Sequence, residues 1–400
     1  MKWLNYSKKI GLLFCIIFML INQSCVNDID DILTPNLSKN VVYKADGKYA
    51  SILLDCSQRK GDKGCDFTTL PLLGMETDFP NKDDILERLL VSHDWMGKRF
   101  EELIDSYPKE LLILFKSVSA IVIGADIRPS HFNSTNAVIY FDSNLFWLSE
   151  NEKLTVNTKF DYRSRFSDNQ DGYTTYVSRY IKEGKLAYKY ISPKGAYQSR
   201  NLEDIRYLVA QTLIHELLHA NDFFPAQLFE TMPRNSVPQK IVSNLQNHWL
   251  STRLENKYPL TSQLMKEMAD YQFNSKDISE ATNALPISDF IDEFNGDLAT
   301  DLYGYSSNFE DPAMLFEEVM MKILFDVDRE IAFVYFDPEL DKLKVIWGVR
   351  NRFADKRLFE KVRFVMEDII PPKVFQDFYT NNYPTLKTLE RGSYWNEIEE

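Results

Sequence analysis

Two of the chain's five histidines, His215 and His219, stand four residues apart in the stretch that most constrains the fold. Residues 201–222 read NLEDIRYLVAQTLIHELLHAND and contain neither glycine nor proline, and their apolar residues recur at helical spacing. Asn201 with Asp204 has the pattern of a helix start. Because residues i and i+4 lie on one face of a helix, the stretch predicts a long helix whose two imidazoles can reach a single metal ion.

The residue types in this helix suit zinc. A catalytic zinc ion takes three protein ligands, commonly imidazole nitrogens and a carboxylate oxygen, and keeps one position open for water. Glu216, beside the first histidine, would then be placed to act as the general base for that water. This is the HExxH arrangement of zinc peptidases. The alternative interpretation is an amphipathic helix whose histidines are only half buried.

Two histidines need a third ligand, and the sequence leaves several carboxylates open. Asp222 lies about 10 Å of helical rise beyond His215, too far to share a metal with both histidines, so it is better placed as a partner of His219 or at the helix end. Glu317 shares a helix face with Glu310, and only one of them can reach the metal. The acidic candidates farther along the chain are Asp297, Asp301, Glu310, Glu317 and Glu318.

The segment 303–313, YGYSSNFEDPA, contains a second motif, with Tyr303, Ser306, Glu310, Asp311 and Ala313 at its characteristic positions. With HExxH followed by this second motif, the chain resembles the zincins related to anthrax lethal factor and the zinc-binding metallopeptidases found among bacterial lipoproteins. The resemblance implies that Glu310 is the third zinc ligand and that the Tyr303 hydroxyl points at the oxyanion. Met314 departs from the family pattern, which has a second glutamate there. Pro312 requires Glu310 to lie at the very start of its helix.

The remaining patterns predict an α+β fold, with a small mixed sheet ahead of the HExxH helix and a mainly helical C-terminal lobe, and the resemblance implies that this fold is of the zincin type. Apolar, β-branched runs predict strands at 120–124 and 137–142. The second run is our candidate for the edge strand, which pairs with extended substrate in zinc peptidases of this class. Short helices are predicted at 82–91 and 108–116, whereas the polar, tyrosine-rich stretch 148–200 has no clear pattern.

The N-terminal residues predict a secretory signal. Three lysines precede an apolar run at 10–21, and Ser24 stands directly before Cys25. This order is typical of a bacterial lipoprotein signal over residues 1–24, after which Cys25 becomes the lipidated first residue. A plain cleaved signal and an uncleaved anchor are the alternatives. Val26 favours the outer membrane, so we expect a lipid-anchored protein of the bacterial cell envelope.

The mature chain is expected to have two parts. Residues 25–70 form a tether and an N-terminal segment, and residues 71–400 form the metallopeptidase domain in two lobes. Cys56 and Cys65 flank a polar loop with two glycines and are predicted to form a disulfide in an oxidising envelope. The alternative for this pair is two free thiols.

The formal net charge of −13 argues against nucleic acid as a partner. The sequence therefore favours a lipid-anchored zinc metallopeptidase that hydrolyses peptide bonds of a peptide or protein substrate in the cell envelope. The second hypothesis is a non-catalytic envelope lipoprotein that uses a zincin-like body for binding or scaffolding.

Overall fold

The computed structural model describes residues 35–157, 175–189, 198–274, 276–337 and 339–395. The predicted signal and the lipidation site at Cys25 lie outside these residues. The chain is of mixed α and β type, with a small sheet in its N-terminal half and a largely helical C-terminal part. None of the helices in the described part of the chain is long and apolar enough to span a bilayer.

Residues 41–153 form a mixed sheet with short helices. Its elements are β1 (Val41–Val42), α1 (Leu53–Gln58), α2 (Lys82–Leu86), β2 (Leu89–Val91), α3 (Asp94–Ser106), α4 (Lys109–Leu112), β3 (Ala120–Gly124), β4 (His131–Asn133), β5 (Val138–Asp142) and α5 (Glu150–Lys153). The strand order is β1-β2-β3-β5-β4, with β2, β3 and β5 parallel and the two outer strands antiparallel. Every residue of the three parallel strands is buried, as expected for strands covered on both faces.

Two predictions for this sheet are wrong in detail. The run at 137–142 forms β5, which lies inside the sheet between β3 and β4 and is therefore not the edge strand. A continuous apolar run suits an interior strand, whereas the edge strand next to it, β4, has three residues and no strand signal in its sequence. Residues 82–91 form α2 and then β2 instead of one helix, because a short leucine and valine run fits either element.

The HExxH helix is α6 (Leu202–Phe223). Asn201 caps it in a capping box, in which Asn201 Oδ1 accepts a hydrogen bond from the Asp204 amide at 2.9 Å and Asp204 Oδ2 accepts one from the Asn201 amide at 2.8 Å. Residues 213–218 are all buried, since α6 packs against β4 and against the C-terminal helices. The predicted helix is present, and the core of the molecule surrounds its central turns.

A second sheet, which the sequence did not predict, combines two strands that precede α6 in the chain with three that follow it. Its five antiparallel strands are β6 (Thr175–Lys182), β7 (Lys185–Leu186), β8 (Asp328–Asp337), β9 (Lys342–Arg350) and β10 (Lys387–Thr388). The order is β10-β9-β8-β6-β7, so strands from the unassigned tyrosine-rich stretch pair with strands that follow much later in the chain. The C-terminal part is therefore largely helical, but it also supplies three strands of this sheet.

Eight helices in the described residues complete the C-terminal part. They are α7 (Pro238–Leu245), α8 (Leu250–Lys257), α9 (Gln263–Phe273), α10 (Glu280–Asn283), α11 (Ile287–Gly296), α12 (Glu310–Phe325), α13 (Phe359–Ile369) and α14 (Pro372–Asn381). Helix α12 packs along α6 and begins at Glu310, with Pro312 as its third residue. A proline is tolerated in this first turn, because the amide it lacks would have no partner within the helix.

Cys56 and Cys65 form a disulfide, with their Cα atoms 5.3 Å apart. Cys56 lies in α1 and is buried in a small apolar cluster with Leu90 of β2 and Val122 of β3. The bond therefore ties the glycine-containing loop that follows α1 to the packed side of the first sheet.

Candidate metal centre

Three side chains from two helices, α6 and α12, converge on one another. On α6, the Nε2 atoms of His215 and His219 lie 3.2 Å apart. Glu310, the first residue of α12, places its Oε2 atom 3.0 Å from His215 Nε2 and 3.6 Å from His219 Nε2. Among the described residues, these three form a group whose donor atoms could hold a metal ion. The packing of α12 against α6 thus brings together residues that are 91 positions apart in the chain (310 − 219).

The donor set fits zinc. In a tetrahedral zinc site with ligand bonds of roughly 2.0–2.1 Å, neighbouring ligand atoms are about 3.3 Å from one another, and the three observed separations lie close to this value. Two imidazole nitrogens and one carboxylate oxygen are also the ligand types of catalytic zinc sites. Oε2 of Glu310 is buried and accepts no well-formed hydrogen bond, although both imidazole nitrogens face it. A cation shared by the three atoms would satisfy all of them.

The electrostatics of the cluster also favour a cation. Burial by itself would raise the pKa of the Glu310 carboxyl, but the imidazoles of His219 and His215 hold this pKa well below its usual range. Burial opposes protonation of His215, yet the carboxylates of Glu310 and Glu317 raise the pKa of its imidazole well above the usual value. The pocket therefore stabilises positive charge at His215. A metal ion that binds there takes the place of a proton.

Glu317 contacts the same imidazole from the other side. Its Oε2 atom lies 3.0 Å from His215 Nδ1, whereas Glu310 lies by Nε2. Glu317 is 6% exposed, and the Tyr180 hydroxyl donates to its Oε1 atom at 2.8 Å. The two glutamates that the sequence left as rivals on one helix face thus occupy opposite sides of His215, and Glu310 is the one that also approaches His219.

The remaining carboxylates considered as ligands have other protein partners. Each of them accepts a hydrogen bond from a nearby donor: Asp222 from Ser251, Asp297 from Thr261 and Ser262, Asp301 from Tyr176 and Tyr303, and Glu318 from Phe353. Asp222 therefore serves as a helix-end residue that binds the start of α8.

Glu216 and Tyr303 reach the same cleft. A cavity of about 400 Å³ opens beside the His215 imidazole, and His215, Glu216 and Tyr303 all line it. Tyr303 lies in the 3-10 turn Leu302–Tyr305, with its ring centroid 6.2 Å from that of His215 and 4.9 Å from that of Phe273. Glu216 is 5% exposed. The structure thus places both predicted catalytic residues and one predicted ligand, His215, around one cavity, and His219 and Glu310 lie next to His215.

A buried ion pair holds the start of α12. The Lys361 side chain of α13 is fully buried, and its Nζ atom lies 2.8 and 2.7 Å from the two carboxylate oxygens of Asp311. The same nitrogen donates to the carbonyl oxygen of Leu298 at 2.9 Å. Since Asp311 follows Glu310 directly, the pair fixes the backbone from which the Glu310 side chain extends.

Sequence reasoning missed the residues that support the ligands. Lys361 stands in an ordinary amphipathic helix, and Tyr176, Tyr180 and Arg329 lie on strands β6 and β8 of the unpredicted sheet. A signal that could have drawn attention to Arg329 is its place close to the start of the apolar run IAFVYF in the same strand, DREIAFVYFD, where a buried arginine requires buried partners.

No protein-family model, curated protein or solved structure matches this chain. The arrangement of its own residues therefore carries the functional argument.

Proposed function

We propose that the chain is a zinc-dependent metallopeptidase of the zincin type. The observation that carries the proposal is the convergence of His215 Nε2, His219 Nε2 and Glu310 Oε2 within 3.0 to 3.6 Å of one another, beside a cleft that Glu216 lines. Helix α6 supplies the two nitrogens and the first turn of α12 supplies the oxygen. The order of HExxH, Tyr303 and Glu310 along the chain, which resembles that of the zincins, supports the same conclusion.

The residues of the cleft have the chemistry that peptide hydrolysis requires. A bound zinc ion supplies Lewis acidity and lowers the pKa of water at its open position. Glu216, next to His215, takes a proton from the attacking water and passes it to the nitrogen of the leaving amine as the peptide bond breaks. The Tyr303 hydroxyl donates a hydrogen bond to the oxyanion that forms on the scissile carbonyl.

The proposed setting is the bacterial cell envelope, with Cys25 lipidated and the domain held at the outer membrane. The basic, apolar and small residues before Cys25 support the anchor. The disulfide between Cys56 and Cys65 is the kind of bond that persists in an oxidising compartment. The proposed substrate is a peptide or protein of that compartment.

The test combines zinc content with peptide hydrolysis. We expect the wild-type protein to bind one zinc ion per chain and to cleave members of a broad peptide library. Glu216→Gln should retain zinc and lose at least about 10²-fold in hydrolysis, because it keeps the ligands and removes the base. His215→Ala and His219→Ala serve as controls that should lose the metal.

The outcomes separate the two functional hypotheses. A wild-type protein without zinc would contradict the proposed site. A protein that binds zinc but cleaves nothing in the library would favour the non-catalytic envelope lipoprotein, in which the same body serves for binding or scaffolding.

A further inference from the structure

We infer that Glu317 is a positioning residue for His215, and that the second sheet holds Glu317 in place through Tyr180 and Arg329. The inference rests on the proposed function, since it takes His215 to bind zinc through Nε2. It adds a role for a carboxylate that is not a ligand, and for a sheet that contributes no ligand in the proposed site.

The two nitrogens of His215 face different partners. Nε2 faces Glu310 and His219, whereas Nδ1 lies 3.0 Å from Glu317 Oε2. A neutral imidazole that offers the Nε2 lone pair to a metal must carry its proton on Nδ1. A carboxylate at Nδ1 accepts that hydrogen, selects this tautomer and fixes the plane of the ring. Glu317 therefore prepares His215 to act as a ligand through Nε2.

The other carboxylate oxygen of Glu317, Oε1, contacts the second sheet. The Tyr180 hydroxyl of β6 donates to Oε1 at 2.8 Å, and Nη1 of Arg329, from β8, lies 3.9 Å from the same atom. Tyr180 is 3% exposed and Arg329 is 5% exposed, so both contacts are shielded from water. The two carboxylate oxygens of Glu317 thus have different partners: Oε2 contacts His215, and Oε1 contacts residues of the second sheet.

The guanidinium that faces Glu317 is itself fixed. Nη2 of Arg329 forms a short ion pair with Asp301, and the Tyr176 hydroxyl donates to the same Asp301 oxygen at 2.8 Å. The neighbouring strands β6 and β8 supply Tyr176, Tyr180 and Arg329. The sheet therefore presents a buried polar network whose end point is the Glu317 carboxylate.

The experiment compares two adjacent glutamates of α12. Glu318 is buried to a similar extent as Glu317, but it accepts a hydrogen bond from the Phe353 amide and does not face His215. The apparent Kd for zinc is measured by competition with a chromophoric chelator. Glu317→Gln should weaken zinc binding about 10- to 100-fold, whereas Glu318→Gln should bind zinc like the wild type. The visible absorption of bound Co²⁺ should change in the first variant and not in the second, because only the first alters a ligand's orientation.

A third variant keeps the test valid if Glu317→Gln folds poorly. Tyr180→Phe leaves Glu317 in place and removes one hydrogen bond to it, so zinc binding should weaken about 2- to 10-fold. Circular dichroism of each metal-free variant checks that the fold is retained. Wild-type zinc affinity in both Glu317→Gln and Tyr180→Phe would overturn the inference and leave the proposed function standing, whereas absence of zinc from the wild type would overturn the proposed function itself.

Discussion

Replacing Lys361 with methionine should destabilise the protein by about 3 kcal/mol or more, because this lysine neutralises a buried carboxylate beside a proposed ligand. Its ammonium group is fully buried and has three partners, the two oxygens of Asp311 at 2.8 and 2.7 Å and the Leu298 carbonyl at 2.9 Å. Methionine fills a similar volume but donates no hydrogen bond. Asp311, which is 6% exposed, would lose its counter-charge. Removing one partner from a buried ion pair costs about 3–5 kcal/mol.

Urea unfolding of the metal-free protein, followed by circular dichroism, measures this loss. Lys356→Met is the matched control, since Lys356 is exposed in the loop before the same helix and its replacement should change the unfolding free energy by less than about 0.5 kcal/mol. In the double variant Lys361→Met with Asp311→Asn, both charges are removed. The double variant should be less destabilised than the sum of the two single variants by about 2 kcal/mol.

The same substitution, Lys361→Met, should also affect zinc binding. Because Asp311 follows Glu310 directly, a loosened first turn of α12 should also weaken zinc binding in Lys361→Met and leave it unchanged in Lys356→Met. A loss of stability below about 1 kcal/mol in Lys361→Met, with wild-type zinc affinity, would refute the argument that this ion pair fixes the start of α12.

Further predictions concern the cleft, a second buried glutamate, the disulfide and the anchor. Tyr303→Phe should retain zinc and lower the rate of peptide hydrolysis by roughly 10²-fold, and an unchanged rate would exclude the hydroxyl as an oxyanion donor. Burial raises the pKa of Glu318 to about 8, so the folded state binds the proton more tightly than the unfolded chain, whose glutamate has a pKa of about 4.3. The contribution of Glu318 to folding stability is therefore lost as pH rises from the unfolded pKa through the folded one. Glu318→Gln should remove this pH dependence in urea unfolding at pH 5 and pH 8, and parallel profiles would contradict the assignment. Replacing Cys56 and Cys65 together by serine should lower the unfolding free energy by about 2–3 kcal/mol, whereas an equal urea midpoint would show that the bond adds no stability. Mass spectrometry of the membrane-extracted protein should find a diacylglyceryl group on Cys25, and an unmodified soluble form that starts elsewhere would remove the anchor.

The sequence alone determined helix α6 and the position of its two imidazoles on one face. The backbone hydrogen bonds of α6 join residues four apart, and its capping box joins Asn201 to Asp204, so all of the required information is local. His215 and His219 share a face for the same reason. Pro312 also acts locally, because its ring is tolerated only in the first turn, and α12 does begin at Glu310.

The resemblance implies Glu310 as the third ligand, but helical periodicity alone could not determine which carboxylate approaches both imidazoles. Glu310 and Glu317 lie two turns apart on one face of α12, and both contact His215 at hydrogen-bond distance, on opposite nitrogens. Helical periodicity does not distinguish these two glutamates. The way α12 packs along α6 decides which of them faces Nε2, and that packing depends on contacts between residues far apart in the chain.

The tertiary structure also decided the positions of the strands and of the supporting charges. The apolar run of β5 predicts a strand but not its neighbours, and the sheet places it inside, between β3 and β4. Arg329 and Lys361 are ordinary charged residues in the sequence, and both become buried because Asp301 and Asp311 are brought to them. Local hydrogen bonding and side-chain periodicity can be read along the chain, whereas the partners of a strand or of a buried charge are known only when distant segments have packed together.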